Sequence, residues 1–494
     1  MTPEPDVYDV AIIGAGAVGA AIARQLARYQ LSVALVEAAP DVGMGTSKAS
    51  TAIWHTGFDA NPNSLEARLL RRGYGLLENF TAEAGLPVER TGALLVAWNP
   101  QQQAALPVLL DNARQNGVTN VRLVAADEVY RLEPCLAPGA TGGMLVPGEG
   151  ILCTYSVPLA CATQALLNGA TLMLNHPVTG IRTGSAGPES KTGAPAGADA
   201  ASHHRLESPV GPVRCRYLVN AAGLYSEEIN RLMGHSEFSL TPRRGELIIF
   251  DKLARPLVRH VILPVPEGKT KGVLISPTVY GNVLLGPTAE DLPGEGAKRA
   301  TETTAAGLAS LLARGRAMMP ELLNEEVTAT YAGLRAATEH GDYQIYAHPE
   351  QRYVCVGGIR STGISASLGI AEHVVELLEQ AGLGLSPKAE FKPMRWPNIG
   401  EAGPRPYQSA ERIAADPRYG EIICHCERVS LGEIMDATQA VIPARTLDGL
   451  RRRTRAMQGR CQGFNCHAAL IRLLAQATGQ SPTQLTRLDH GYAA

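Results

Sequence analysis

The stretch from Tyr8 to Gly19 constrains the fold more than any other part of this 494-residue chain. Its first residues, Tyr8 to Ile13, predict a short buried strand, and the sequence GAGAVG leads from that strand into a helical pattern. A second apolar strand, Leu31 to Val36, ends at Glu37, about 20 residues beyond the glycines. This order places a helix N-terminus and an acidic strand end where a pyrophosphate and a ribose can bind. The sequence therefore predicts a nucleotide-binding α/β fold.

The three glycines of this turn have different roles. Gly14 allows the tight turn, Gly16 lets the backbone approach a pyrophosphate, and Gly19 lets the helix pack closely on the strand. Glu37 is placed to accept hydrogen bonds from a ribose hydroxyl. The pattern indicates a dinucleotide but does not by itself distinguish FAD from NAD.

Length and charge exclude several other classes of protein. A chain of this length corresponds to about three domains. Its 45 Lys and Arg nearly balance 47 Asp and Glu, and a net charge of −2 creates no global field to attract nucleic acid. The segment Met1 to Tyr8 lacks the basic residues of a secretory signal, and the apolar stretch Val10 to Ala23 is too short for a transmembrane helix. We therefore expect a cytoplasmic protein without a transmembrane segment.

Four of the nine cysteines crowd the C-terminal end of the chain. Cys424-His-Cys426 and Cys461-Gln-Gly-Phe-Asn-Cys466 are separated by 34 residues that contain two helical patterns. Four thiolates from two short loops suit a metal or an iron–sulfur centre. A zinc site usually has a CxxC loop at each end, so this spacing departs from the zinc pattern. An iron–sulfur cluster, zinc and free thiols remain the three alternatives.

The same end of the chain is rich in arginine. From Gly420 onward there are nine arginines and six acidic residues, a net charge of +3. Arginines near a cluster can offset its thiolate charge and raise its reduction potential. The run from Arg451 to Arg455 is also compatible with a nucleic-acid patch, but no aromatic platform accompanies it. We therefore expect no nucleic-acid partner.

Several later segments complete the nucleotide-binding unit. They are a Gly/Ser-rich loop from Gly43 to Gly57, an apolar strand ending in small residues at Arg216 to Gly223, and a strand, glycine turn and helix from Tyr353 onward. These segments resemble the D-amino-acid-oxidase-like superfamily of FAD oxidoreductases, especially its branch of FAD-dependent glycerol-3-phosphate dehydrogenases and L-2-hydroxyglutarate oxidases. The motifs that carry the resemblance are GAGAVG with Glu37, SKASTAIWHTGFD, LVNAAGLYSEEI, LISPTVYGNVLLGPTAED, YAGLR and GGIRSTGISASLGIAE.

This resemblance implies FAD as the cofactor and a set of residues that bind it. They are Gly14, Gly16, Gly19, Glu37, Ser47, Ser50, Thr51, Ala222, Gly223, Gly358, Ser361, Thr362, Gly363 and Ile364. One departure is Trp54, where the family implies a smaller aliphatic residue. Its bulk would narrow or reshape the substrate pocket.

The C-terminal cysteines resemble the bacterioferritin-associated-ferredoxin-like [2Fe–2S] domain, which is also found appended to flavin dehydrogenases of that branch. Arg453-Thr-Arg455 and Gly459-Arg precede the third cysteine, in line with this resemblance. The resemblance implies a [2Fe–2S] cluster whose ligands are Cys424, Cys426, Cys461 and Cys466.

The predicted architecture is α/β with interleaved domains. A Rossmann-like FAD-binding domain covers residues 1–90, 147–230 and 328–385, and an α+β substrate domain with an antiparallel sheet covers 91–146 and 231–327. A linker is predicted at 386–419 and a small helical [2Fe–2S] domain at 420–485. Residues Thr183 to Pro209 are rich in Gly, Ala, Ser and Pro, which predicts a surface excursion with solvated His203 and His204.

Four residues are candidates for the chemistry. His55 is the leading base or orienting donor, because the resemblance places its loop beside the flavin. Arg335 is the first choice to anchor an anionic substrate and Arg360 the second, since guanidinium groups bind carboxylate or phosphate bidentately. Tyr280 is predicted to face the same cavity.

The sequence predicts an FAD-dependent dehydrogenase that oxidises a small anionic hydroxy compound by hydride transfer to flavin. By resemblance, glycerol 3-phosphate is the leading substrate, followed by L-2-hydroxyglutarate or another 2-hydroxy acid, and then amino or imino acids. Electrons are expected to pass singly through the cluster to a quinone, a ferredoxin or a partner subunit. Such a chain is compatible with a hetero-oligomer of redox subunits and with peripheral attachment to the inner membrane through a partner. The alternative from another class is a non-catalytic flavin and iron–sulfur redox module.

Overall fold

Two large sheets and a C-terminal helical unit contain most of the regular structure. The computed structural model describes residues 7–184, 203–266, 272–294 and 296–486. The strands, numbered in chain order, are β1 Tyr8–Ile13, β2 Val33–Val36, β3 Ile53–Trp54, β4 Val88–Glu89, β5 Ala93–Ala97, β6 Arg122–Ala125, β7 Gly142–Val146, β8 Gly150–Leu152, β9 Thr171–Met173, β10 Gly180–Gly184, β11 His203–Glu207, β12 Val213–Asn220, β13 Leu240–Phe250, β14 Val261–Pro264, β15 Leu274–Pro277, β16 Val283–Gly286, β17 Glu290–Asp291, β18 Val327–Thr338, β19 Gln344–His348, β20 Tyr353–Gly357, β21 Ile422–Cys424 and β22 Val429–Ser430.

The helices connect and cover these sheets. In chain order they are α1 Ala17–Leu26, α2 Leu65–Ala84, α3 Pro100–Gln115, α4 Ala126–Leu132, α5 Ser156–Leu167, α6 Ser226–Leu232, α7 Ala305–Met318, α8 Gly363–Gln380, α9 Ala410–Ala415, α10 Leu431–Gln439, α11 Leu447–Thr454, α12 His467–Thr478 and α13 Pro482–Thr486. Within the described residues, no helix is both long and apolar enough to span a bilayer.

The first sheet forms the predicted nucleotide-binding unit. Strands β2, β1, β12 and β20 lie side by side and parallel, so that Ile13 is level with both Val36 and Asn220. These strands are nearly continuous apolar runs, as parallel strands are when both faces of a sheet are covered. Helix α1 packs against α5 and α8, and α8 packs against α2. Their apolar faces, with Ile22 and Leu70 at the centre, bury one side of the sheet.

The second sheet is mostly antiparallel. Its longest pair is β13 with β18, in which Arg243 lies opposite Arg335 and Gly245 opposite Gly333. Directly opposed residues share a face of the sheet, so both arginines point to the same side. A smaller sheet pairs β3 with β8 and β8 with β4. This third sheet is important because His55 directly follows β3.

The C-terminal unit has its own apolar core. Val429, Ile434, Leu450 and Leu470 come from β22, α10, α11 and α12 and are fully buried. The preceding segment, residues 386–419, packs on the first unit rather than standing free. For example, the Trp396 N–H donates to Ala84 O at 2.7 Å and the Lys388 N–H to Arg28 O at 2.8 Å. The domain boundaries given above remain predictions.

The mixed α/β architecture predicted from the sequence is confirmed, including the antiparallel sheet and the helical C-terminal region. The prediction for the surface excursion is partly wrong. Its residues 185–202 lie outside the described residues, but His203–Glu207 forms strand β11. His204 is buried rather than solvated, and its Nε2 lies 2.8 Å from Gln351 O. The adjoining strands bury this side chain, which the local composition alone could not indicate.

Candidate active site and cluster site

The glycine turn after β1 has the close packing that its sequence predicts. Gly14 has a φ of +100°, and a Cβ at this position would lie 2.5 Å from Ala221 O. A Cβ at Gly19 would lie 1.9 Å from Gly14 O. Only glycine fits at both positions, so the N-terminus of α1 can lie directly over the ends of β1 and β12.

Two side chains that are predicted to bind the cofactor lie at this turn. The Ala17 N–H donates to Ser47 Oγ at 3.0 Å, so the loop that carries Ser47 lies against the first turn of α1. Glu37 accepts from the Ala15 N–H at 2.7 Å and from the Ala39 N–H at 2.8 Å. Burial raises the pKa of Glu37, while those backbone donors partly offset the effect. The Glu37 carboxylate is therefore held at the end of β2, where a ribose of the cofactor would bind.

The other predicted cofactor residues divide into three groups by position. Ser50 and Thr51 follow Ser47 in the same loop, whereas Ala222 and Gly223 follow β12, whose end is level with that of β1. The remaining five lie in the turn after β20 and in the first residues of α8: Gly358, Ser361, Thr362, Gly363 and Ile364. Within that group, Thr362 Oγ1 donates to Glu66 Oε1 at 2.6 Å, and Ile364 is buried in the core.

These features fit FAD. The turn leaves a backbone cradle at Gly16, where the nearest atom to an added Cβ would be Ser47 Oγ at 3.4 Å. Gly14, Ala17 and Glu37 surround it in the order that a pyrophosphate followed by a ribose requires. The assignment of individual cofactor contacts remains a prediction.

His55 lies between two carboxylates. Its Nδ1 is 3.1 Å from Glu149 Oε1, and its Nε2 is 3.1 Å from Asp59 Oδ1. Glu149 is fully buried and also accepts from the Thr56 N–H and hydroxyl at 2.7 and 2.6 Å. The His55 N–H donates to Ser365 Oγ at 2.9 Å, which fixes the loop to α8. This arrangement orients the imidazole and stabilises a positive charge on it.

Sequence reasoning did not identify Glu149 or Asp59. Glu149 is 94 residues from His55 and is brought there because β3 pairs with β8, with Trp54 opposite Gly150. Its one local signal is an acidic residue within the tight Pro147-Gly-Glu-Gly150 turn. Asp59 lies four residues after His55, and a carboxylate so near a candidate base could have been recognised.

Arg335 is the cation best placed to anchor an anion. Its Nη2 donates to Thr288 O at 2.6 Å, and no carboxylate among the described residues forms an ion pair with it. Burial, followed by the neighbouring charge of Arg243, lowers the pKa of Arg335 to about 10. Thr46 Oγ1 donates to the carbonyl of the adjacent Leu334 at 2.8 Å. Because Thr46 begins the loop that leads to His55, the sheet carrying Arg335 adjoins the predicted flavin-side loop.

Arg360 and Tyr280, the two other candidates for the substrate site, both contact groups of the protein itself. Arg360 Nη2 donates to Glu66 Oε2 at 2.8 Å and to Gly341 O at 2.7 Å, which engages its guanidinium in a structural contact. Tyr280 Oη lies 2.6 Å from Cys153 Sγ, and the Arg455 guanidinium lies 4.5 Å from the centre of its ring. Burial raises the pKa of Tyr280 well above its usual value. Tyr280 is thus at the contact with the C-terminal unit, and its predicted role in the substrate cavity has no supporting contact.

The four C-terminal cysteines converge as two pairs. Cys424 hydrogen-bonds Cys466, and Cys426 hydrogen-bonds Cys461. Across the described residues, no three cysteine sulfurs lie within 4.8 Å of one another. A tetrahedral zinc site, with Zn–S bonds of about 2.3 Å, would bring all four sulfurs within about 4 Å of each other. Two separate pairs therefore fit a cluster with two irons better than a single zinc ion.

Buried ion pairs connect the cysteine unit to the rest of the chain. Arg453 binds Asp41 bidentately, with Nη1 and Nη2 at 2.7 and 2.8 Å, and Arg452 Nη2 lies 3.0 Å from the same carboxylate. Arg455 pairs with Glu427 and donates to Tyr280 O at 3.0 Å. The C-terminal unit is therefore fixed beside the first sheet and beside Tyr280.

Another group of metal-ligating side chains occurs away from both sites. His235, Glu237 and His348 have ligand atoms within 4.8 Å of one another. However, the two imidazole rings are stacked, with centroids 3.5 Å apart and an interplanar angle of 17°. The in-plane lone pairs of two parallel rings cannot both point at one ion, so this group is an aromatic stack over a carboxylate.

Comparisons with known proteins match both the nucleotide-binding part and the C-terminal part of the chain. The family model described as FAD dependent oxidoreductase (DAO) matches residues 9–377, and the model of a BFD-like [2Fe-2S] binding domain matches residues 422–476. A glycerol 3-phosphate dehydrogenase of Caloramator mitchellensis is 34% identical over 488 residues, which cover 98% of this chain and 97% of that protein. The human mitochondrial L-2-hydroxyglutarate dehydrogenase is 29% identical over 57% of this chain and 61% of its own length.

A solved structure extends the comparison to the fold. Dithionite-reduced L-alpha-glycerophosphate oxidase from Mycoplasma pneumoniae, with FAD bound, superposes with a TM-score of 0.72 and 26% identity. The match covers 80% of this chain and all of that one. Together with the glycine turn and the paired cysteines, these matches show that the chain belongs to the DAO family of FAD-dependent oxidoreductases and carries a C-terminal BFD-like [2Fe–2S]-binding domain.

Proposed function

We propose that this protein is a glycerol-3-phosphate dehydrogenase that passes electrons, through its C-terminal cluster, to a quinone or a partner protein. The reaction converts the secondary alcohol of the substrate to a ketone. The observation that carries the proposal is Arg335, a largely buried cation that lacks a carboxylate partner among the described residues. Its strand is tied to the loop that carries His55. The full-length similarity to the glycerol 3-phosphate dehydrogenase of C. mitchellensis supports the same substrate.

Arg335 holds the anionic end of the substrate. Its guanidinium has only the carbonyl of Thr288 as a hydrogen-bond acceptor among the described residues, so donors remain for phosphate oxygens. The neighbouring Arg243 is neutralised by Asp291, with Nε 2.5 Å from Oδ1, and is therefore less suited to this role. A buried guanidinium and a phosphate form a strong charge-assisted pair, because little water competes for either group.

His55 takes the proton of the substrate hydroxyl. In the tautomer whose Nδ1–H donates to Glu149, the neutral imidazole carries its lone pair on Nε2, and we assign this nitrogen as the one that receives the proton. Asp59, 3.1 Å from Nε2, and Glu149 then stabilise the imidazolium. FAD, when bound, supplies the acceptor for the hydride that leaves the carbon bearing the hydroxyl. The [2Fe–2S] cluster, when bound, supplies a one-electron acceptor.

An anaerobic substrate panel tests the proposal. Protein with its cofactors is mixed with glycerol 3-phosphate, L-2-hydroxyglutarate, glycerol, L-proline or glycine, and the flavin absorbance is followed. We expect glycerol 3-phosphate to bleach the flavin fastest and glycerol, which lacks the anion, to bleach it slowly or not at all. Fastest bleaching by L-2-hydroxyglutarate would instead identify a 2-hydroxy acid dehydrogenase. Failure of every compound would indicate a non-catalytic redox module.

Metal analysis of the anaerobically purified protein tests the cluster. We expect two irons and two acid-labile sulfides per chain, as a [2Fe–2S] cluster requires. Stoichiometric zinc without sulfide would contradict the assignment of the four cysteines.

A further inference from the structure

Tyr331 presents its phenol to the side of the second sheet that carries Arg335. The two residues are four apart in β18, and side chains alternate along a strand, so both point to the same face. Tyr331 is only partly exposed, yet its hydroxyl forms no hydrogen bond with any described residue. Its oxygen is not among the unpaired polar atoms that protein encloses completely, so it faces open space. Because a largely buried tyrosine hydroxyl usually has a partner, we expect a ligand to supply this one.

The guanidinium of Arg335 extends along the sheet toward Tyr331. Gly245 lies opposite Gly333, which is midway between Arg335 and Tyr331 in β18. Arg335 Nη2 comes within 3.1 Å of the position that a Cβ on Gly245 would take. Two residues, about 7 Å of strand, separate this level of the sheet from Tyr331. The small residue Ala49 lies over Gly333. The remaining span suits a short ligand with a polar group at each end.

The loop that carries His55 approaches the same face. Tyr331 and Ile53 both pack against a cluster of leucines from β13, β15 and β16. Ser365 Oγ donates to Ile53 O at 3.2 Å and accepts from the His55 N–H at 2.9 Å, which indicates an extended segment between them. Side chains two residues apart on an extended segment share a face. The imidazole therefore turns to the side on which Ile53 meets Tyr331.

The surroundings of Tyr331 favour a neutral polar group over a charged one. Burial, followed by the nearby Tyr155, raises the pKa of Tyr331, so its hydroxyl stays protonated and can donate. The other side chains at this leucine cluster are leucines and isoleucines. A hydroxyl group of a ligand would find a partner here. A carboxylate would lose its water without gaining a cation, which costs far more free energy.

We propose that Tyr331 is a specificity-determining residue whose hydroxyl binds the primary hydroxyl of glycerol 3-phosphate. The inference rests on the proposed function and deepens it, because it assigns a partner to each polar group of that substrate. The phosphate pairs with Arg335, the secondary hydroxyl with His55 and the primary hydroxyl with Tyr331. A dicarboxylate such as L-2-hydroxyglutarate, once anchored at Arg335, would leave its second carboxylate against the apolar wall.

Two phosphate esters that differ by one hydroxyl test the assignment. Propane-1,2-diol 1-phosphate, in the configuration that matches glycerol 3-phosphate, keeps the phosphate and the secondary alcohol but lacks the primary hydroxyl. The rate of anaerobic flavin bleaching is measured against the concentration of each ester. We expect the wild-type protein to prefer glycerol 3-phosphate at least about tenfold, since a site built to bind a hydroxyl rejects the analogue without it. Tyr331→Phe should slow glycerol 3-phosphate about tenfold and leave the analogue nearly unchanged.

Tyr130→Phe is the matched control. Tyr130 packs against a cluster that contains Ile248, whereas the cluster at Tyr331 contains Leu247, the preceding residue of β13. Tyr130 therefore lies on the opposite face of the second sheet, where its hydroxyl donates to Ala137 O at 3.0 Å. This variant should keep the wild-type preference between the two esters. The ratio of flavin to protein in each variant shows whether the cofactor is retained.

Binding of the two ketone products gives a second measurement that needs no turnover. Glycerol 3-phosphate yields dihydroxyacetone phosphate, and the analogue yields hydroxyacetone phosphate, which lacks the same hydroxyl. Their Kd values follow from the change in flavin absorbance when the oxidised protein is titrated. We expect Tyr331→Phe to raise the Kd for dihydroxyacetone phosphate about tenfold and to leave that for hydroxyacetone phosphate unchanged.

The outcomes separate this inference from the proposed function. Bleaching by neither ester would overturn both. Bleaching of the wild-type protein by both esters with equal efficiency would overturn this inference alone, and this comparison needs no variant. A Tyr331→Phe protein that retains its flavin and keeps the wild-type preference, for the esters and for the ketones, would likewise exclude Tyr331 as the partner of the primary hydroxyl.

Discussion

At the scale of single residues, replacing Arg335 should have the clearest effect on substrate binding. Replacing it by methionine keeps much of its apolar volume but removes every donor to the substrate anion. We expect Arg335→Met to raise the KM for glycerol 3-phosphate roughly 100-fold, since losing one partner of a buried charge pair costs about 3 kcal/mol. Steady-state kinetics with a dye as acceptor measures the effect. Arg314→Met, an exposed arginine on α7, is the control, and an equal KM in both variants would exclude Arg335 as the anchor.

The second prediction at this scale concerns His55 as the base that takes the proton of the substrate hydroxyl. His55→Gln retains a side chain that can donate to Glu149 but cannot accept a proton at neutral pH. Because general base catalysis contributes about 10²- to 10⁴-fold, we expect kcat to fall by at least about 100-fold with a smaller change in KM. The rate of anaerobic flavin bleaching reports this step directly. A variant that bleaches at the wild-type rate would assign His55 to structure and leave Asp59 as the candidate base.

At the scale of elements, the strand–turn–helix at the N-terminus can be tested by adding one methyl group. In Gly14→Ala the new Cβ would meet Ala221 O at 2.5 Å, at a φ of +100° that alanine rarely adopts. We expect the purified variant to contain less than about a tenth of the wild-type flavin, because the displaced turn no longer approaches the pyrophosphate. Gly45→Ala is the control, since φ is −79° and nothing lies within 4 Å of the new Cβ. The ratio of flavin absorbance to protein absorbance measures the flavin content of both variants. Equal flavin content in the two variants would contradict the assignment of the Gly14 turn to the pyrophosphate.

The cysteine loops form the second testable element. Because each sulfur pair joins one cysteine from each loop, replacing Cys426 leaves Cys461 without its partner. We expect Cys426→Ser to lose most of its iron and the visible absorbance of the cluster. Flavin content should remain near that of the wild type, since the glycine turn lies in another unit. Cys135→Ser, a partly buried cysteine in the short segment after α4, is the control and should keep its iron.

Sequence-based prediction succeeds where the interacting residues are close together in the chain, and it fails where they are far apart. The turn at Gly14 and the cysteine spacings are contiguous patterns, so the residues themselves indicate a dinucleotide-binding fold and a metal or iron–sulfur site, and the family resemblance implies FAD and a [2Fe–2S] cluster. The pair of His55 with Glu149 depends on strand pairing across 94 residues, and Asp41 with Arg453 depends on a contact across 412 residues. Neither contact has a periodicity or spacing that one sequence reveals. The placement of Tyr280 in the substrate cavity stays a prediction.

At the scale of the whole molecule, buried charge connects the flavin-binding unit to the cysteine unit. Asp41 lies in the loop after β2, is buried, and binds Arg452 and Arg453 of α11. These arginines are equally buried, so removing their partner would leave uncompensated charge in the interior. The contact also holds the cysteine unit beside the nucleotide-binding unit, and the proposed electron transfer depends on this placement.

Asp41→Asn tests this contact. Breaking a buried ion pair by removing one partner costs about 3 kcal/mol, and we expect the free energy of unfolding measured with denaturant to fall by that amount. We also expect limited proteolysis to release a C-terminal fragment sooner than in the wild type. Asp416→Asn, which breaks the exposed pair with Arg418, is the control and should leave the free energy of unfolding near that of the wild type, because water screens an exposed pair.

The pH dependence gives this prediction a definite sign. Burial alone would raise the pKa of Asp41, but the hydrogen bond and charge of Arg453 and the charge of Arg452 outweigh it, and the pKa is lowered. A carboxyl whose folded-state pKa lies below its unfolded value of about 4 contributes its full stability above that pH and loses it as the pH falls through the folded-state pKa. The stability difference between wild type and Asp41→Asn should therefore be constant from about pH 5 to pH 8 and shrink below about pH 4. A difference that instead shrinks between pH 6 and pH 8 would show that a group other than Asp41 holds the two units together.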